Sequence, residues 1–195
     1  MKSTCKNYIN RTFAKMENMK VRGLLLIMIA VVFTSCKDNS EQEEKNVHKV
    51  DWSENTPSNQ NFKSYPSKYT YLPIYSEVYA LSDEETRNVT ATVSIHNMNL
   101  KDTLYVQKAD YYNSEGELVR SYVEDPIFLR PMETADIVIH ELDNKGGTGA
   151  NFLIEWKQND SLFNPPLCEG VMISTNGQQG LSFTTRGVIM NAPSE

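Results

Sequence analysis

The sequence predicts an all-β domain, an antiparallel β-sandwich of the immunoglobulin or fibronectin kind with about eight strands. Three observations carry that expectation. From Tyr69 onward, short β-branched and aromatic runs are separated by turn residues at spacings suited to a sandwich or barrel. The cleanest of these runs alternate apolar and polar residues with period two. Beyond residue 68 no stretch reads as a helix, and no internal repeat is visible.

In chain order, the first element is a leader. Leu24–Phe33 is an unbroken apolar run of ten residues, about half of what a helix needs to cross a bilayer. Lys20 and Arg22 precede it, and Thr34-Ser35-Cys36 follows it. Positive n-region, short h-region and small residues ending in cysteine resemble a bacterial lipoprotein signal rather than an A-x-A cleavage site or a short core helix. This reading makes 1–35 a signal peptide with an over-long start, and Met19 the expected true start. In lipoproteins of this kind the cysteine becomes residue one and is acylated, which the resemblance implies for Cys36. Several acyl chains together make anchoring effectively irreversible.

The leader holds six of the 19 basic residues and one of the 25 acidic ones, so its removal takes the net charge from −6 to −11. A chain this acidic, with no basic stripe, is a poor partner for nucleic acid. It is repelled by anionic lipid as well, which leaves acylation as the means of attachment to a bilayer.

Residues 36–68 read as a flexible polar tether. Asp38, Glu41, Glu43 and Glu44 resemble the surface-export signal of Bacteroidota lipoproteins, and Val47, Val50, Trp52 and Phe62 are the scattered apolar residues. As a coil, the 32 residues from Lys37 to Lys68 would span roughly 30 Å, with Trp52 able to dock on the domain. The location these features predict is the bacterial outer membrane, lipid-anchored on its periplasmic face or at the cell surface.

The domain itself is expected over 69–191, with strands near 70–80, 88–97, 103–112, 117–124, 135–142, 150–157, 167–175 and 181–190. In the second strand Val89, Ala91, Val93 and Ile95 share one face, and Thr90, Thr92, Ser94 and His96 the other. Asn113-Ser114-Glu115-Gly116 makes a hairpin, with glycine for the φ > 0 position. Phe152, Ile154 and Trp156 give the sixth strand a heavy inward face. Pro73 argues for an edge position or bulge in the first strand. With Cys36 acylated and Cys5 lost with the leader, Cys168 stands alone, so no intramolecular disulfide holds the fold.

Four stretches carry a family likeness: Tyr71-Leu72-Pro73-Ile74-Tyr75-Ser76; Asp110-Tyr111-Tyr112 through Gly116 to Leu118-Val119-Arg120-Ser121-Tyr122; Gly146–Phe152 with Glu155-Trp156; and Gln178–Phe183 with Arg186-Gly187. In order and spacing these resemble the bacterial family called domain of unknown function 3124, over about residues 69–190. The resemblance implies an exported, often lipid-anchored domain and brings no catalytic residues.

Antiparallel order sends alternate loops to opposite ends. The tether end gathers 98–102, 125–134 and 158–166; the distal end gathers 81–87, 113–116, 143–149 and 176–180. Asp143-Asn144-Lys145-Gly146-Gly147-Thr148-Gly149 and Asn176-Gly177-Gln178-Gln179-Gly180 therefore meet. Glycine backbone and amide side chains suit a neutral polar ligand such as a glycan or peptide, although ordinary turns have the same composition. The expected binding residues are Asn151, Asn176, Gln178, Gln179 and Arg186. Arg186 is also expected to pair with Glu155. The expected function is thus a membrane-anchored binding or interaction module whose partner is an envelope protein, peptide or glycan.

The competing chemistries are weaker. The glycine-rich stretch lacks the Gly-Lys-Ser or Gly-Lys-Thr of a phosphate loop, and a strand follows it. His48, His96 and His140 are scattered, so no metal or cofactor is expected. Asp83-Glu84-Glu85 beside Asp143 is a calcium alternative. Cys168 with His96 or His140 is the hydrolase alternative, against the ordinary role of a buried thiol. Asp102-Thr103-Leu104 and Asp160-Ser161-Leu162 match a loose bacterial O-glycosylation pattern.

Overall fold

A computed structural model describes residues 50–58, 60–159, 164–175 and 180–190. The leader, Cys36, the first part of the tether, the tripeptide at 160–162 and the candidates Asn176, Gln178 and Gln179 lie outside the described residues.

The chain is an antiparallel β-sandwich. Its first six strands are β1 (Lys68–Pro73), β2 (Glu77–Tyr79), β3 (Thr86–Asn88), β4 (Thr90–His96), β5 (Leu104–Tyr112) and β6 (Leu118–Val123). There follow β7 (Ile127–Leu129), β8 (Thr134–Ile139), β9 (Asn151–Lys157), β10 (Leu167–Ser174), β11 (Leu181–Arg186) and β12 (Val188–Met190). One sheet runs β12–β1–β9–β5–β6, with β7 also on β5; the other runs β11–β10–β4–β8; β2 and β3 form a separate hairpin. The pairs β4–β8 and β5–β9 match the central pairs of an immunoglobulin-type sandwich. Elsewhere the order departs from that pattern, because β1 lies beside β9 and β10 beside β4.

Alternation explains the core. Val89, Ala91, Val93 and Ile95 are fully buried, and so are Phe152 and Ile154, with Trp156 1% exposed. Trp156 is large and carries a donor, so its burial requires a partner; its Nε1 donates to Thr70 Oγ1 at 2.9 Å.

All eight expected strands are present, and four short strands add to the count. The first expected run divides at Ile74 and Ser76, both fully buried, before β2 begins. The last divides at Gly187, where the chain leaves one sheet for the other. A Cβ there would lie 2.6 Å from Thr70 Cγ2, so only glycine lets the strand pass this close. Pro73 corrects an expectation: β1 is an inner strand, but its pairing with β12 covers only Tyr69–Tyr71, so the proline falls where that side is already open. Thr185 Oγ1 donates to Pro73 O at 2.7 Å and ties β11 to β1 across this flank.

The tether expectation fails from Val50 onward. Trp52 Nε1 donates to Tyr122 O at 3.0 Å, and Val50 and Trp52 pack on the core. Asn55 Nδ2 donates to Phe128 O at 2.8 Å, and Phe62, 2% exposed, stacks on Tyr105 with centroids 4.6 Å apart. Ser67 Oγ donates to Glu155 Oε1 at 2.7 Å. The polar composition concealed this because a few aromatic anchors suffice to fix a segment whose remaining residues stay in water.

Truncation of the anchor measures how far the segment belongs to the fold. Phe62→Ala should lower the unfolding free energy by about 3 kcal/mol in urea melts. A loss below about 0.5 kcal/mol, the level of an ordinary surface change, would return Phe62 to the tether.

Candidate functional site

Of the loops expected at the distal end, the described contacts bring 113–116 and 143–149 together. Ser114 donates from N and from Oγ to Gly146 O, at 3.0 and 3.1 Å, and accepts Gly149 N–H at 2.9 Å. Ser76 donates from N and from Oγ to Gly147 O, at 3.3 and 3.2 Å. Three connections are thereby stapled together: the one before β2, the β5–β6 turn and the β8–β9 loop. Gly116 holds the β5–β6 turn at φ +81°.

This stapling changes the meaning of the glycines. A Cβ on Gly146 would lie 1.8 Å from the Tyr111 hydroxyl, and Gly147 sits at φ +71°. Their carbonyls serve the loops themselves, so these glycines answer to packing rather than to an approaching ligand.

A polar clamp lies below. Arg120 Nη1 donates to Asp143 Oδ2 at 2.9 Å and to Tyr122 Oη at 2.7 Å, with its guanidinium 5.4 Å from the Tyr122 ring centre. The pair is largely buried and joins β6 to the β8–β9 loop. Burial pushes the Tyr111 phenol up to about 12 and raises that of Tyr122.

The expected binding residues do not share one place. Asn151 begins β9, half-buried opposite Pro73 and Tyr112 at the distal end. Arg186 ends β11, exposed, at the other end and in the other sheet from Glu155; its register partner is Glu169. Glu155 instead accepts the Ser67 hydroxyl. No pattern within one strand names its neighbour across the sheet.

The hydrolase geometry does not form. Cys168 is 2% exposed and points to the core, and burial pushes its thiol up to about 12. His96 pairs in register with Leu167, on the opposite face, and its Nδ1 lies 2.8 Å from Thr134 Oγ1. His140 follows the far end of β8. For calcium, Asp143 Oδ2 is held by Arg120, while Asp83–Glu85 forms an exposed turn. Among the described residues no three His, Cys, Asp or Glu side chains group as metal ligands.

Two features escaped the sequence. The distal connections carry large exposed apolar side chains, which strand periodicity does not address. A groove of about 480 Å³ lies on the β6 flank between Trp52 and Tyr122; it needs the docked N-terminal segment as a wall, so it had no sequence signal.

Residues 67–190 match the family described as "Protein of unknown function (DUF3124)". A crystal structure of Thermotoga maritima 1070 aligns with 64% of this chain and 95% of its own, at 11% identity and a TM-score of 0.38. No curated protein matches.

The buried thiol and phenol set the alkaline limit of stability. Folded Cys168 and Tyr111 keep their protons where the unfolded chain, at ordinary values of 9.0 and 10.0, has lost them. The contribution of these two groups to stability is therefore full below pH 9 and is lost as pH rises toward about 12. Thiol labelling at pH 8 should be slow in the native chain and immediate in denaturant; equal rates would place Cys168 at the surface.

Proposed function

The chain belongs to the DUF3124 family, proteins of unknown function, and on that premise we propose that it is a lipid-anchored interaction module of the bacterial envelope, attached through Cys36. The support for attachment is the apolar run Leu24–Phe33 ending in Thr34-Ser35-Cys36, with positive charge before it.

The observation that carries the interaction role is the apolar character of the distal end. Several elements there contribute a large exposed side chain: Tyr79 and Leu81 from the β2–β3 hairpin, Leu118 after the β5–β6 turn, Leu142 after β8 and Leu181 at the start of β11. Leu81 is 82% exposed and Leu142 64%. Single exposed leucines are ordinary, but a group at one end of a rigid sandwich, with Leu142 on a stapled loop, fits a protein contact surface. The same end also carries the polar Asn151. The apolar groups favour a protein partner over a glycan, whose hydroxyl groups need polar neighbours.

The experiment compares capture of envelope proteins by the wild-type chain and by Leu81→Ser/Leu142→Ser. Capture should be lost while the unfolding free energy changes by less than about 0.5 kcal/mol, as for surface substitutions. Undiminished capture would reject this surface. Separately, Cys36→Ala should release the protein from the membrane fraction; retention would reject the anchor.

A further inference from the structure

The groove on the β6 flank is built by two parts of the chain. Val50–Thr56 forms one wall; Arg120–Tyr122 and the β6–β7 connection form the other. Its volume of about 480 Å³ lies in the range of small-ligand sites. Trp52 and Tyr122 bring aromatic surface, while Val50, Pro126 and Ile127 bring aliphatic surface.

Its charge is one-sided. Asp51, Glu124 and Asp125 line it, and among the described residues none of them forms an ion pair. The cation on its lining, Arg120, is already bound to Asp143 Oδ2 and to the Tyr122 hydroxyl. An anion entering here would meet three carboxylates and an occupied guanidinium. A cation would meet carboxylates and aromatic rings, and the Tyr122 ring already holds a guanidinium 5.4 Å from its centre.

We infer that the groove binds an alkylammonium or guanidinium group on an aliphatic stem, the chemistry of a lysine or arginine side chain or of a diamine. The stem lies against Val50, Pro126 and Ile127, and the charged head faces the carboxylates. This site is distinct from the distal loops and does not depend on their role.

Fluorescence reads the site directly. The chain has two tryptophans, and Trp156 is 1% exposed, so acrylamide quenching reports Trp52. The full chain, purified in detergent, is titrated with Nα-acetyl-lysine methylamide, cadaverine, the neutral norleucine analogue of the same stem, and glutarate. The two cations should shield Trp52 saturably, and the neutral and anionic probes should not. Glu124→Gln/Asp125→Asn should weaken cation binding roughly tenfold with an unchanged melting temperature. Asp51 is left intact because its Oδ1 accepts the Ser53 N–H. Tighter binding of the lysine amide identifies a peptide side chain as the source, and tighter binding of cadaverine a free diamine. Equal binding of the norleucine analogue, unchanged affinity in the double variant, or no saturation by roughly 30 mM overturns the inference.

Discussion

Two sheets stacked face to face leave their shared core open along both flanks, and the rest of this structure follows from how each flank is closed. Water reaching Trp156, Phe152 or Tyr111 from the side would remove the apolar burial that drives folding. On one flank the chain closes itself: it crosses sheets at Gly187, and Thr185 bonds to the backbone of β1. On the other flank the sheets end in β6 and β8, and the closing pieces come from elsewhere, Val50 and Trp52 from the N-terminal side and the Arg120–Asp143 clamp from the distal side.

The distal end shows how one set of contacts gives a surface its stiffness. Ser76, Ser114 and the carbonyls of Gly146 and Gly147 tie three connections into one piece, and Tyr111 under Gly146 fills the space beneath. Exposed leucines on separately moving loops would lose conformational entropy on binding. For Leu142, on the stapled β8–β9 loop, most of that ordering has already occurred during folding. At the opposite end Asn97, 1% exposed, has a comparable role: its Nδ2 donates to Asp102, Leu129 and Arg130 carbonyls, and its Oδ1 accepts from Asn99.

Strand periodicity made most of the fold legible. The face of β4, the inward Phe152–Ile154–Trp156 row and the turn at Gly116 depend on local alternation and local φ, which the sequence carries directly. β7 was not legible, because its three residues, set in the four between Pro126 and Pro131, are too few to display a period, yet Ile127 and Leu129 enter the core. Of the candidate site, the meeting of the β5–β6 turn with the β8–β9 loop followed from antiparallel order alone. What the glycines do there was not legible, since Tyr111 lies 35 residues before Gly146 in sequence and only the tertiary fold brings its hydroxyl to that backbone. Arg186 and the exposed leucines belong to the same class of information, set by neighbours across sheets and loops.

The docking of Trp52 has a mechanical side. On the lipid-anchored reading, 13 residues separate Cys36 from Val50, so at most these remain for a leash, less than half of what the polar composition implied. Any pull along it reaches the head at Val50 and, two residues on, at the indole seated on β6, at the lip of the acidic groove. On that reading a molecule lodged beside Trp52 and tension arriving from the membrane would act on the same few contacts, so that occupancy would stiffen the joint between leash and head and strain would loosen it.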